Sequence, residues 1–149
     1  MGKVEVSKAK NKIWGSCAKL TNGEVEILVS LEFGPRVIHL SRVGMENMMF
    51  QDPERKPIDR KVEEFEDQFI LYGGHRLWIS PEVLPRCYYP DNKPVKYEKI
   101  TNGASFTAPV ELHNNIQKII RITLDENAPV VHVEHEVKNC GNWDIEFAL

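Results

Sequence analysis

The sequence has few of the features that mark secreted, metal-binding or membrane-spanning proteins. Its 149 residues include only three cysteines, Cys17, Cys87 and Cys140. These are too few and too scattered for a disulfide framework or a zinc ribbon. No apolar run approaches the roughly 20 residues needed to span a bilayer, and residues 1–10 lack the apolar core of a signal peptide. We therefore predict a cytoplasmic protein with no membrane partner.

The chain also has no excess of positive charge. The chain has 19 Lys and Arg against 22 Asp and Glu, a formal net charge of −3. Nucleic-acid binding relies on clustered Lys and Arg, so we expect no nucleic-acid partner. The G-x-S-x-G, P-loop and G-x-G-x-x-G motifs are absent. His132 and His135 resemble a metal pair, but an i, i+3 spacing on a strand points them to opposite faces. We therefore expect neither a metal nor a cofactor.

The dominant pattern that is present is period-two alternation, which is typical of strands. Apolar residues occupy every second position in 24–31, and 36–43 continues as a second strand after Gly34-Pro35. The segment 46–51 is expected to be a third strand. Residues 52–68 are rich in charge and interrupt the pattern, which indicates a surface loop with one helical turn over 60–67.

Strands return after residue 93. The stretch 94–109 is predicted to be a hairpin that turns on Asn102-Gly103, and 115–125 and 129–139 read as longer strands. Residues 140–149 start another, with four apolar residues on one face: Trp143, Ile145, Phe147 and Leu149. With at least seven strands and no amphipathic helix, the fold class is all-β, an antiparallel β-sandwich forming one domain over 1–149. The alternation is still running at Leu149, which would leave an unpaired edge, so we expect the front part of a larger β-structure.

The motif YGGHRLWISPE, residues 72–82, concentrates functional side chains behind a glycine pair. His75 can shuttle a proton near neutral pH, and the Arg76 guanidinium offers a planar fork of donors. Trp78 presents a flat face on which a sugar ring can stack, and Glu82 can act as an acid or base. On a strand, Arg76 and Trp78 share one face.

A second cluster follows in a proline-bracketed loop, where Tyr88, Tyr89, Asp91 and Asn92 supply aromatic and short polar groups. Each residue taken singly has an ordinary structural explanation: a core tryptophan, a turn at Asp91-Asn92, or a histidine bonded to a carbonyl. Their concentration in 72–92 nevertheless favours a ligand site.

The stretches EFGPRVIHLSRVGMENMMF, YGGHRLWISPE, YYPDNKPV and PVVHVEHEVKNCGNWDIEFAL together resemble the front half of the galactose mutarotase-like superfamily, which includes the aldose 1-epimerases. The similarity runs over 24–149 and is strongest to an uncharacterised bacterial branch. It implies a partial β-supersandwich whose concave sheet holds a monosaccharide, with Arg76 as the sugar-contacting arginine and His75 beside it. The first histidine of the family has no counterpart here, where Asp91 substitutes for it only by location, and the family's general acid and glutamate base belong to the later half of the fold.

The first hypothesis is therefore a carbohydrate-binding domain without the full catalytic machinery. Its ligand would be a monosaccharide or sugar derivative held by Arg76, Trp78, Tyr89 and Asn92. One alternative is an active aldose 1-epimerase, an isomerase in which His75 works with Glu82 or Asp91. The other is a protein-interaction sandwich that pairs through its open C-terminal edge strand, as a homodimer or with another chain.

Overall fold

Nine strands in two antiparallel sheets form the part of the chain that the structure describes. The computed structural model describes residues 3–57, 62 and 64–149, and no α-helix occurs among them. The strands are β1 (Glu5–Asn11), β2 (Gly15–Thr21), β3 (Val25–Ser30), β4 (Arg36–Arg42), β5 (His75–Arg76), β6 (Lys96–Ile100), β7 (Gly103–Thr107), β8 (Ile116–Leu124) and β9 (Val131–Asn139). A 3₁₀ helix, Arg86–Tyr88, lies between β5 and β6. The prediction of an all-β antiparallel sandwich is confirmed.

Each sheet is built from strands in their order along the chain. The first sheet runs β1-β2-β3-β4-β5 and the second β6-β7-β8-β9. The β1–β2 hairpin is not foreseen from the sequence, because β1 is an edge strand with largely exposed, Lys-rich positions. Its turn is closed by Asn11, whose Oδ1 accepts hydrogen bonds from the backbone nitrogens of Ile13 (2.8 Å) and Trp14 (3.0 Å).

The main core lies between the two sheets. Its members are the inward-facing apolar residues of both sheets, among them Leu20, Ile27, Val37, Phe106 and Ile122. Cys17 of β2 and Ile38 of β4 face away from this core into a second cluster, which also contains three residues from the connecting segments: Trp14, Phe33 and Tyr72. The middle of the first sheet is therefore covered on both faces, whereas β1 at its edge is largely exposed.

The second sheet keeps a polar outer face. There Arg121 forms ion pairs with Glu134 and Glu136 across the β8–β9 ladder. Such alternation between an apolar inner face and a charged outer face is what a half-exposed antiparallel sheet requires.

Residues 46–51 do not form the expected strand. The side chain of Asn47 takes the hydrogen bonds that a paired strand would make: Oδ1 accepts from the backbone nitrogen of Leu40 (3.0 Å), and Nδ2 donates to the carbonyl of Ile38 (3.0 Å). The backbone contributes only a few separate bonds, from Met48 N to the carbonyl of Leu40 (2.9 Å) and in an isolated bridge between Gln51 and Gly73. A local side-chain bond has replaced the ladder here.

Residues 140–149 do not form a strand either. Asn139 turns the chain, because its Oδ1 accepts from Gly141 N (2.9 Å) and its Nδ2 donates to the carbonyl of Trp143 (2.8 Å). Beyond this turn a single bridge joins Ala148 to Ser80, and Trp143 is 83% exposed. The edge of the second sheet is therefore β9, and not a strand that ends at Leu149.

The β6–β7 hairpin turns one residue earlier than predicted. Its two-residue loop is Thr101-Asn102, with Asn102 at φ 54°, and Gly103 is already the first residue of β7. A Cβ on Gly103 would lie 1.9 Å from the carbonyl oxygen of Ile122. The glycine is thus required by close packing against β8.

The helical turn predicted over 60–67 lies partly outside the described residues. Within those residues, no helix has the length and apolarity to cross a membrane.

Candidate functional site

A pair of glycines brings the HRLW segment against the first sheet. Gly73 and Gly74 have φ angles of 87° and 72°. A Cβ on Gly74 would lie 2.2 Å from the carbonyl oxygen of Val37, and one on Gly73 would lie 2.4 Å from that of Phe50. Only glycine allows both the positive φ and this close approach. The two glycines therefore fix the position of the side chains that follow.

The next two residues form β5, which pairs with β4 so that His75 lies opposite Val37 and Arg76 opposite Arg36. The two side chains alternate, and His75 shares its side of the sheet with Val37, a member of the main core. The Arg76 guanidinium carbon lies 3.8 Å from the ring centroid of Trp78 and 4.5 Å from that of Phe69. Arg76 and Trp78 thus share one surface, and two aromatic rings hold the guanidinium in place.

Arg76 lines a small cavity at the junction of the two sheets. The cavity measures about 40 Å³, which is room for roughly three water molecules. Its polar lining consists of Arg76, Tyr89, Asp91, Lys93, Glu111 and Lys118. Arg76 and Tyr89, which are predicted to bind substrate, and Asp91, which is predicted to be catalytic, therefore all line this cavity.

Both carboxylates of the cavity already have a cationic partner. Asp91 Oδ2 accepts from Arg36 Nη2 at 2.7 Å, and Glu111 Oε1 lies 2.7 Å from Lys118 Nζ. Arg36 is only 2% exposed and also donates to the carbonyl of Gly73 (2.9 Å). Asp91 Oδ1 is buried and has no hydrogen-bond partner among the described residues. Both pairs are sufficiently buried to count as structural elements of the cavity wall.

Arg76 differs from these cations, since it forms no hydrogen bond through its side chain and no ion pair within the described ranges. Its residue surface is half-buried. Desolvation lowers the pKa of the guanidinium to about 10, and the positive charge of Arg36 acts in the same direction, while Asp91 and Glu111 raise it. Arg76 still carries its charge at neutral pH.

A more open groove adjoins the cavity and shares Tyr89, Pro90 and Lys93 with it. The groove has a volume of about 310 Å³. Phe65 forms its aromatic part, with its ring edge-on to those of Tyr89 (5.1 Å between centroids) and His113 (5.2 Å). The Tyr89 hydroxyl accepts a 3.3 Å hydrogen bond from the backbone of Leu112, which fixes the ring at the boundary of groove and cavity.

Asn92 lies at the same groove, but its amide is fully engaged. Its Oδ1 accepts from the hydroxyl of Tyr72 (2.9 Å), and its Nδ2 donates to Asp67 Oδ2 (2.7 Å) and to the carbonyl of Gln68 (2.8 Å). Both amide protons are therefore in use. In this arrangement Asn92 orders the loop that carries Tyr89.

His75 does not line the cavity. It makes a contact between the two sheets instead. Its Nε2 is 2.9 Å from Nε2 of His135 on β9, with ring centroids 5.0 Å apart and planes 16° from parallel. Because the nitrogens are much closer than the centroids, the rings meet edge to edge, so that one Nε2 donates and the other accepts. Burial, followed by the charge of His135, lowers the pKa of His75.

Glu82, the remaining residue predicted to be catalytic, is exposed and accepts a short hydrogen bond from the hydroxyl of Tyr88. It does not line the cavity. The structure therefore brings Asp91 to the side chain of Arg76, but it does not gather His75, Glu82 and Asp91 at one cavity.

Sequence reasoning missed three residues that shape this region, Arg36, Glu111 and Lys118, and it did not pair His135 with His75. Arg36 gives a faint signal, as an arginine beginning an otherwise apolar strand. Glu111 and Lys118 give none, because they meet only through a tight loop closed by a bridge from Glu111 to Ile116.

No group of three or more His, Cys, Asp or Glu residues suited to a metal ion occurs in the described part of the chain.

Comparison with known proteins adds no relative: no family model, no curated protein and no solved structure matches this chain. The resemblance to the galactose mutarotase-like superfamily therefore remains a prediction.

Proposed function

We propose that this chain is a carbohydrate-binding domain that holds a monosaccharide or sugar derivative in the groove beside Tyr89. The observation that carries the proposal is the charged, unbonded guanidinium of Arg76, fixed against Trp78 next to that groove. Arginine forks bind vicinal hydroxyls well when their geometry is set in advance.

The dimensions and lining of the groove support this ligand class. Its volume of about 310 Å³ lies at the lower end of the range for small-molecule sites. The rings of Phe65 and Tyr89 offer apolar surface for the C–H face of a pyranose. Around them, Asp67 and Lys93 provide acceptors and donors for hydroxyl groups.

The epimerase alternative has less support. Ring opening of an aldose needs an acid and a base placed on the two sides of the reacting bond. His75 bonds to His135 on the side of β5 opposite Arg76, while Asp91 is paired with Arg36. The alternative of a protein-interaction sandwich also has less support. It relied on an open edge strand at the C-terminal end, but the segment that ends at Leu149 is not a strand.

Saturation-transfer NMR with a panel of neutral aldoses, sugar phosphates and sugar acids tests the proposal. We expect transfer to at least one of them, and at least a tenfold loss of affinity in Tyr89→Ala because an aromatic face is removed. Trp143→Ala is the matched control, since Trp143 is exposed and outside the groove. Absence of transfer to every sugar at millimolar concentration would refute carbohydrate binding. Faster anomeric exchange in the same samples would instead indicate an epimerase.

A further inference from the structure

We propose that the sugar carries an oxyanion, as a phosphate ester or a carboxylate, and that this group enters the cavity and binds Arg76 and Lys93. The sugar ring would then lie in the adjoining groove. This inference rests on the proposed function and specifies the class of its ligand.

The balance of charge around the cavity is the first argument. Its lining contains three cations, Arg76, Lys93 and Lys118, and two carboxylates, Asp91 and Glu111. Glu111 is neutralised by Lys118, and Asp91 by a cation from outside the lining, Arg36. Two positive charges, on Arg76 and Lys93, are therefore left without a partner in the described part of the chain. A ligand with negative charge would balance them.

The environment of Arg76 is the second argument. Arg76 is half-buried, and its guanidinium nitrogens keep access to solvent, since none of them is among the fully buried polar atoms that lack a partner. The rings of Trp78 and Phe69 lie 3.8 and 4.5 Å from its central carbon. They cover the guanidinium without using its N–H donors, which remain available for the two oxygens of a carboxylate or phosphate.

Size is the third argument. A cavity of about 40 Å³ has room for roughly three waters, which is comparable to an anionic head group and too small for a pyranose ring. The groove of about 310 Å³ can take the ring, and Tyr89, Pro90 and Lys93 belong to both spaces. A ligand with a small charged end and a larger neutral body fits this pair of spaces.

Titration calorimetry at low ionic strength with four probes tests the inference: glucose, glucose 6-phosphate, glucuronate and inorganic phosphate. We expect glucose 6-phosphate or glucuronate to bind at least 30-fold more tightly than glucose, and this advantage to shrink as salt is added. Which of the two binds more tightly identifies the source of the oxyanion. Arg76→Met should reduce the affinity for the charged sugar to that for glucose.

Lys93 supplies a second variant that does not depend on the interior of the protein. Because Lys93 is exposed, Lys93→Gln should fold normally and lower the affinity for the charged sugar by about two- to fivefold, a typical loss for an exposed charge contact. Lys99→Gln is the matched control, since Lys99 is also exposed but outside both spaces. Its affinity should equal that of the unmodified chain.

The outcomes separate the two proposals. Equal affinities for glucose and both charged sugars would overturn the inference and leave carbohydrate binding in place. Binding of inorganic phosphate with no response to any sugar would support the anion site and refute the proposed function. A charged-sugar affinity unchanged in both Arg76→Met and Lys93→Gln would also overturn the inference.

Discussion

Arg36 and Arg76 are partners across β4 and β5, yet they occupy opposite electrostatic situations. Arg36 is 2% exposed and binds the carboxylate of Asp91 and the carbonyl of Gly73. Arg76 contacts only aromatic rings through its guanidinium, and it keeps its donors free among the described residues. Two arginines at paired positions of adjacent strands therefore have different roles.

The difference shows how a structural charge can be told apart from a charge available to a ligand. A buried cation whose hydrogen bonds are made within the chain stabilises the fold, and its removal leaves a carboxylate without a partner. A half-buried cation whose donors are unused within the chain contributes little to the fold and is available to a ligand. The comparison predicts opposite consequences for substitution at the two positions.

The largest expected effect is the loss of stability in Arg36→Met. The substitution leaves the Asp91 carboxylate without its cation and Gly73 without its side-chain donor. We expect the free energy of unfolding to fall by about 3 kcal/mol, as for other broken buried pairs. Urea denaturation measures this, with Arg42→Met on the exposed end of β4 as the control. A loss no larger than that of the control would contradict the structural role of Arg36.

A smaller effect is expected at His75, on the opposite side of β5. Burial lowers its pKa from the ordinary value of 6.5, so the unfolded chain binds more protons below that pH. Stability should therefore be fully present above pH 6.5 and should decline as the pH falls toward the lowered pKa, by at most about 1.4 kcal/mol per pH unit for this one group.

Urea midpoints between pH 7.5 and 5 should accordingly fall less steeply in His75→Asn than in the unmodified chain. His132→Asn is the control, because His132 lies on the outer face of the second sheet. If both variants keep the same pH dependence as the unmodified chain, burial of His75 is not responsible for it.

The smallest expected effect is that of Arg76→Met on stability in the absence of ligand. The variant loses ring contacts, but Arg76 is half-buried and makes no side-chain hydrogen bond or ion pair within the described residues, so little else is lost. We expect a change of about 1 kcal/mol or less in urea denaturation, similar to that of Arg121→Met, which breaks exposed ion pairs. A loss as large as that of Arg36→Met would show that Arg76 is structural too.

The fold was predictable where alternation and burial agree. The strands β3, β4, β8 and β9 form where the sequence predicts strands, and β3 follows its period-two pattern most closely, with Val25, Ile27 and Val29 in the main core. The pattern wrongly predicted strands in two places. In 140–149 the alternating apolar residues have no neighbouring strand, and in 46–51 the side chain of Asn47 makes hydrogen bonds that a ladder would otherwise make. Period-two alternation reports which residues could share a face, but it does not report whether a partner strand is present.

The site was predictable only in part. The glycine pair and the polar and aromatic residues after it identified 72–82 as a candidate site. Strand periodicity also predicted that Arg76 and Trp78 share one face. The partners of the predicted residues could not be foreseen, because Asp91 pairs with Arg36 across 55 positions and His75 contacts His135 across 60. Such distant contacts depend on how the two sheets dock, which local pattern does not specify.

The order of strands within the two sheets has a consequence for how the chain folds. Most strands pair with a sequence neighbour, so each sheet consists largely of local hairpins that form early and rapidly. The cavity is different, because its walls come from the first sheet, from the connection at 89–93, and from the second sheet with the loop before β8. We expect the binding site to be the last part of the molecule to assemble, formed only when two separately nucleated halves dock.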